Sequence, residues 1–195
     1  RRVPAPPPAA GNVLVIVVDT LRADHLPAYG YAEGSTPNLD RFAREAVRFD
    51  QHFANASWPR PSFASILSGR YVASHRVMSK DDALPFEVDT LAEALGRGGY
   101  RTAGFVTNYN VTPYFQFDQG FDAYTYLEPE FVLGANDAQA KLLLVQIARR
   151  VIERVTPARP GSAYRDAATV NRSVFEYLRH APTDHPFFLF AAYMD

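Results

Sequence analysis

One carboxylate in this chain stands where a hard cation could be held. Asp19 directly follows Asn12 to Val18 (N-V-L-V-I-V-V), a continuous apolar run rich in β-branched residues. Such a run is the pattern of a strand buried on both faces of a parallel sheet, so the carboxylate would stand at the rim of that sheet. Ca²⁺ and Mg²⁺ require several oxygen ligands, and a strand-end carboxylate is a rigid way to offer one. The same residue could instead cap the turn that follows, and both readings stay open on this residue alone. His25, in R-A-D-H, and His75, in S-H-R-V, offer imidazoles whose near-neutral titration suits a general acid. Each has a plainer reading as a scaffold residue. The absence of cysteine excludes disulfides, thiolate metal sites and a cysteine nucleophile from this sequence.

The elements that must position these groups follow from periodicity. Arg101 to Asn108 and Phe187 to Tyr193 (F-F-L-F-A-A-Y) read as two further buried strands, which puts Asp195, like Asp19, at the end of a strand. Between the strands lie helices. Thr36 as cap and Pro37 at the first turn precede Leu39, Phe42, Ala43 and Val47, which share one helical face. Ser62 to Leu67 reads as a shorter helix capped by Ser62 and closed by Gly69, and Thr90 to Leu95 as another before Gly98 and Gly99. Ala138 to Val155 carries a broad apolar stripe, and Tyr164 to Leu178 is helical with weaker amphipathicity. Strands separated by helices predict a mostly parallel α/β sheet with helices on both faces, in which ligands bind beyond the carboxyl ends of the strands.

Composition adds bounds. The 195 residues are 47% hydrophobic and 21% charged with a formal net charge of -1, which points away from a nucleic-acid-binding face or an acidic tail. No stretch approaches the roughly 18 apolar residues of a membrane helix. Residues 1–11 are proline-rich and read as an extended linker with no initiator methionine ahead of it, so a segment upstream is expected, with a signal peptide or membrane anchor as the guess. A periplasmic, extracytoplasmic or membrane-anchored setting accords with that guess.

Several motifs, in order and at compatible separations, carry a resemblance to a known family. They are V-V-D-T-L-R-A-D-H-L-P-A-Y-G-Y, T-P-N-L-D-R-F-A and V-R-F-D, then P-S-F-A-S-I-L-S-G-R-Y at Pro61 to Tyr71, then G-Y-R-T-A-G-F-V, Q-G-F-D and H-P-F-F-L-F-A-A-Y-M-D. Together they resemble the opening of the sulfatase family within the alkaline-phosphatase superfamily. On that resemblance residues 12–195 form the amino-terminal portion of a sulfatase-like domain, incomplete in this sequence. Expressed alone, such a portion is expected to expose unpaired edges and dissolve poorly.

The resemblance implies a mixed, mostly parallel sheet between helices. It also implies a divalent cation, calcium first with magnesium or manganese as alternatives, and hydrolysis or transfer of sulfate esters, with phosphate and phosphonate esters in related branches. The substrate would be a small molecule, a glycan or a lipid carrying such an ester. Asp19 takes the place of the first metal ligand, and Thr20 that of a second Asp, as a weaker, uncharged ligand. The remaining ligands, a histidine and a late lysine are expected beyond Asp195.

Against the same family pattern, C-x-P-x-R, Pro59 falls at the nucleophile and Phe63 at the arginine. Proline has no side chain that can attack. Ser57 and Ser62 are then the substitute hydroxyls, each with a plainer reading as loop residue and helix cap. Arg60 is a candidate anion contact. The K-x-H expected near Thr107 to Tyr109 is absent, leaving Asn108 as a hydrogen-bond donor to substrate. Two functions follow: a metal-dependent sulfate or phosphate ester hydrolase, or a non-catalytic relative that keeps the fold for binding or assembly. A lipid-linked phosphoethanolamine or glycerophosphate transferase would need a threonine at position 59.

Overall fold

The computed structural model describes residues 10–34, 36–129, 147, 151 and 164–194. Among them are strands β1 (Val13–Val18), β2 (Arg101–Val106), β3 (Ala123–Tyr126) and β4 (Phe187–Tyr193). The helices are α1 (Pro37–Glu45), α2 (Pro59–Ser68), α3 (Val72–His75), α4 (Leu91–Arg97) and α5 (Ala167–His180). Of the helix expected over Ala138 to Val155, Ile147 and Val151 are described, both helical and exposed; its other residues and Asp195 lie outside the described residues.

All described strand pairs are parallel, in the order β1-β4-β2-β3. The sheet has the architecture expected of an α/β chain. β4 is central, with Val18 opposite Tyr193 on one side and Val106 opposite Ala192 on the other. This register brings the ends of β1 and β2 level with each other across the end of β4. Whatever follows Val18 and Val106 therefore meets at one carboxyl edge.

Alternation along β4 divides the core. Phe188, Phe190 and Ala192 pack with Phe63, Ala64 and Leu67 of α2 and Ala92 of α4, while Leu189 and Ala191 pack with Val170 and Val174 of α5. The rings of Phe63 and Phe190 meet edge to face at 6.0 Å. β1 departs from the expected double burial. Val13, Val15 and Val17 face the α2 side, whereas Leu14 and Ile16, on the opposite face, are 55% and 56% exposed. The described α5 packs on β2 and β4 and leaves that face of β1 open.

Local signals explain most boundaries. At α4, Thr90 accepts from the Glu93 amide while the Glu93 carboxylate accepts from the Thr90 amide, a complete capping box. Asp166 caps α5 by accepting from the Thr169 amide, and Gly69 ends α2 in the left-handed region at φ 65. Two starts differ from expectation. Thr36 precedes α1 but its hydroxyl donates to the Asp40 carboxylate, at 3.3 Å, and caps no backbone amide. α2 begins at Pro59, so Ser62 is no cap: its amide already donates to the Trp58 carbonyl at 3.4 Å, inside the helix.

The turn into β3 is pinned by the Q-G-F-D segment. Gln119 Nε2 donates to the Leu84 carbonyl at 2.7 Å, Thr102 Oγ1 to the Gly120 carbonyl at 2.8 Å, and the Thr102 amide to Asp122 Oδ2 at 2.9 Å. Gly120 has φ 80, and a Cβ built there would lie 2.3 Å from the Glu93 amide nitrogen. Backbone strain and the clash with α4 act together at this position. Gly120→Ala is therefore expected to destabilise the full-length protein by at least about 2 kcal/mol, read as a lowered denaturant midpoint; a midpoint equal to wild type would contradict this packing.

Candidate functional site

The carboxyl edge of the sheet gathers the residues of chemical interest. Asp19 leaves β1 with its amide donating to the Tyr193 carbonyl at 2.9 Å, which extends the β1–β4 pairing by one residue and fixes the backbone of the carboxylate. Its side chain is half-buried. Thr20 follows at φ 62, in the left-handed region. A β-branched residue there is uncommon and costs about 1–3 kcal/mol, strain of the kind that collects at functional sites.

Across β4, Thr107 and Asn108 leave β2, and Asn108 is 1% exposed. Its amide group is fully engaged. Nδ2 donates to Asp19 Oδ2 at 3.2 Å and to Met194 Sδ at 3.4 Å. Oδ1 accepts from the Asn110 amide at 2.9 Å and from Asn110 Nδ2 at 3.1 Å. Sequence reasoning placed Asn108 near a substrate; here both of its hydrogens are already committed, so donation to a ligand would cost the bond to Asp19 or the contact with sulfur.

Arg60 also sits differently from the anion contact expected of it. The side chain is 2% exposed, its guanidinium carbon 3.3 Å from the Phe115 ring centre. Nε donates to the Asn110 carbonyl at 3.3 Å, one terminal nitrogen to the carbonyls of Lys80 and Asp82, and the other to Asn110 Oδ1 at 3.1 Å. Burial pulls this guanidinium below its usual value, and the charges of Tyr109, Asp81 and Asp82 act in the opposite direction. With its donors spent on interior acceptors, Arg60 anchors the start of α2 to the turn after β2 and has no free face for an anion.

That anchor carries Pro59 to the same end of the sheet. Pro59 occupies the first position of α2 and Pro61 the third, so two of the first three residues have no amide hydrogen. A helix start of this kind offers little of the backbone cradle on which anions usually rest. Ser57 is exposed in the loop ahead of Trp58, and Ser62 is half-buried in the first turn. Phe63, at the position of the family arginine, points into the core.

The two histidines separate. His25 is exposed in a short 3₁₀ turn (Ala23–His25), its ring 5.0 Å from that of Tyr31. His75 is fully buried at the end of α3. Nδ1 accepts from the Val77 amide at 3.1 Å, so the ring proton belongs on Nε2, which lies 3.0 Å from Ser65 Oγ. Burial pushes its pKa down, and a bond to the Pro61 carbonyl offsets part of the shift. It is a neutral brace between α2 and α3. Among the described residues, no three His, Asp or Glu side chains come together as a metal cluster.

Comparison with known proteins decides the family. A family model described as Sulfatase matches residues 11–195. The chain belongs to the sulfatase family. Arylsulfatase H of Homo sapiens is 37% identical over 106 residues, covering 48% of this chain and 19% of that protein. The multifunctional alkaline phosphatase superfamily protein PehA of Trinickia caryophylli is 40% identical over 103 residues, covering 49% and 20%. The chain thus spans about a fifth of the length of these relatives.

Among solved structures, the phosphonate monoester hydrolase of Agrobacterium radiobacter superposes with a TM-score of 0.68 at 26% identity over 95% of this chain and 41% of that one. A protein solved with its substrate D-glucosamine-2-N,6-O-disulfate superposes with a TM-score of 0.69 at 18% identity over 93% and 34%, a likeness of fold. The sulfatase-like, mostly parallel α/β architecture expected from the motifs is therefore the one observed.

The buried His75 generates a prediction for stability. Its folded pKa lies below the ordinary value of 6.5, so the unfolded chain takes up a proton first as pH falls. The contribution of neutral His75 is complete above that value and is lost as pH drops from it toward the folded pKa. Between about pH 7 and pH 5 the thermal midpoint of the full-length protein should fall less steeply in His75→Gln than in wild type. Equal slopes would contradict the neutral, buried assignment.

Proposed function

We propose that this chain is part of a hydrolase of sulfate esters, or of the related phosphate and phosphonate esters, that works with a divalent cation, Ca²⁺ first, held by Asp19. The observation that carries the proposal is the half-buried Asp19 carboxylate at the carboxyl edge, its Oδ2 held by Asn108 and its Oδ1 without a side-chain hydrogen bond among the described residues. The strained Thr20 beside it adds support, and so does membership in a family whose relatives include arylsulfatases. Asp19 would contribute one oxygen ligand and Thr20, exposed, a neutral one. When bound, the cation supplies positive charge against the developing charge on the ester's non-bridging oxygens.

Hydrolysis forms one S–O or P–O bond to the attacking oxygen, breaks the one to the leaving alcohol, and returns a proton to that alcohol. Ser57 and Ser62 are the hydroxyls of this chain near the start of α2. Pro59 favours a second reading. The first position of α2 holds a side chain that can neither attack nor donate, as a non-catalytic sulfatase-fold protein with a binding role would tolerate.

Full-length protein, assayed with Ca²⁺, Mg²⁺ and Mn²⁺ on aryl sulfate, aryl phosphate and aryl phosphonate, separates the readings. The hydrolase reading predicts turnover of at least one ester and a loss of about a hundredfold or more in kcat/KM for Asp19→Ala. Ser57→Ala and Ser62→Ala identify which hydroxyl takes part. Absence of turnover on all three esters with every cation would establish the non-catalytic reading.

A further inference from the structure

We propose that Arg60 and Asn110 are positioning residues for Asp19, acting through Asn108 as a hydrogen-bond relay that runs one way from a buried cation to the sheet-edge carboxylate. The inference rests on the reading of Asp19 as a cation ligand.

The direction of the relay is fixed by groups that can only donate. Arg60 has no acceptor, so the Asn110 atom 3.1 Å from its terminal nitrogen is the amide oxygen. Asn110 Nδ2 then faces Asn108 at 3.1 Å. The Asn110 backbone amide, another obligate donor, lies 2.9 Å from the same Asn108 atom, which is therefore oxygen. Asn108 Nδ2 is left to face Asp19 Oδ2 at 3.2 Å. Neither amide can be flipped without setting donor against donor. Every bond in the series points the same way, so each polarises the next.

This arrangement suits a carboxylate that must receive a dication. A lysine or arginine placed directly on Asp19 would orient it but would also repel the incoming ion. Two neutral amides deliver the orientation while the positive charge stays buried behind them at Arg60, 2% exposed against Phe115. Oδ2 is held, and Oδ1 has no side-chain hydrogen bond among the described residues. Partners that orient a metal ligand typically change metal affinity by about 10–100-fold when removed.

The test is calorimetric titration of Ca²⁺ into metal-free full-length protein, with thermal midpoints measured alongside. Asn108→Ala is expected to weaken Ca²⁺ binding by about tenfold or more, and Asn110→Ala, on a half-buried and more tolerant residue, by about threefold or more. In a series relay the double variant binds Ca²⁺ like Asn108→Ala alone. Arg60→Gln, if it folds, is expected to weaken binding in the wild-type background and to have no further effect in Asn108→Ala. A double variant whose affinity loss is the product of the single losses would overturn the relay, as would unchanged affinity in Asn108→Ala while Asp19→Ala abolishes binding. Unchanged affinity in Asp19→Ala would overturn the cation reading and this inference with it.

Discussion

A guanidinium withdrawn from water must find acceptors for its hydrogens, and the way Arg60 finds them organises this end of the molecule. Its acceptors are carbonyls of the 80–82 segment and both oxygens of Asn110. Losing one partner of such a buried charge costs several kcal/mol, far more than an exposed ion pair contributes, so the first turn of α2 and the turn after β2 are locked together. Exposed pairs such as Arg22 with Asp24, or Arg97 with Asp89, carry no comparable constraint.

The parallel sheet converts that local lock into a site. Because β4 lies between β1 and β2 with both registers fixed, Asp19 and Asn108 reach the same edge from strands 89 residues apart in sequence. Phe188 and Phe190 on one face and Leu189 on the other hold β4 in place by burial on both sides. Side-chain period two specifies the register against a slip of one residue, which would exchange the two faces. Core packing, strand register and the Asp19–Asn108 bond are thus one connected arrangement.

Much of the fold was legible in the sequence, for identifiable reasons. The apolar runs of β1, β2 and β4 have no competing periodicity, and the cap residue Thr90 marks the start of α4. β3 was missed because Ala123–Tyr126 is four residues long and follows a turn directly. The cap of α2 was read four residues late, since Ser62 has the chemistry of a cap whereas Trp58, the observed one, makes no side-chain cap bond. β1 was read as buried on both faces from composition alone, and composition does not say which neighbours cover Leu14 and Ile16. At the site, the place of Asp19 at the sheet edge was legible because a charged residue ends an apolar strand. The contacts of Arg60 and Asn110 were not: a buried arginine and an asparagine pair have no spacing signature. Only the closely spaced N-Y-N after β2 hinted that local amide bonding would follow.

The proposed role of the Asp19 carboxylate is that of a cation ligand at the carboxyl edge of the sheet. Anomalous diffraction from crystals of the full-length protein grown with Mn²⁺ addresses it without relying on any substrate. A cation held by Asp19 gives an anomalous peak within coordination distance of Asp19 Oδ1, about 2.0–2.6 Å, with Asn108 still bonded to Oδ2. A fully bound Mn²⁺ elsewhere, with Asp19 turned away to cap its own turn, would contradict it.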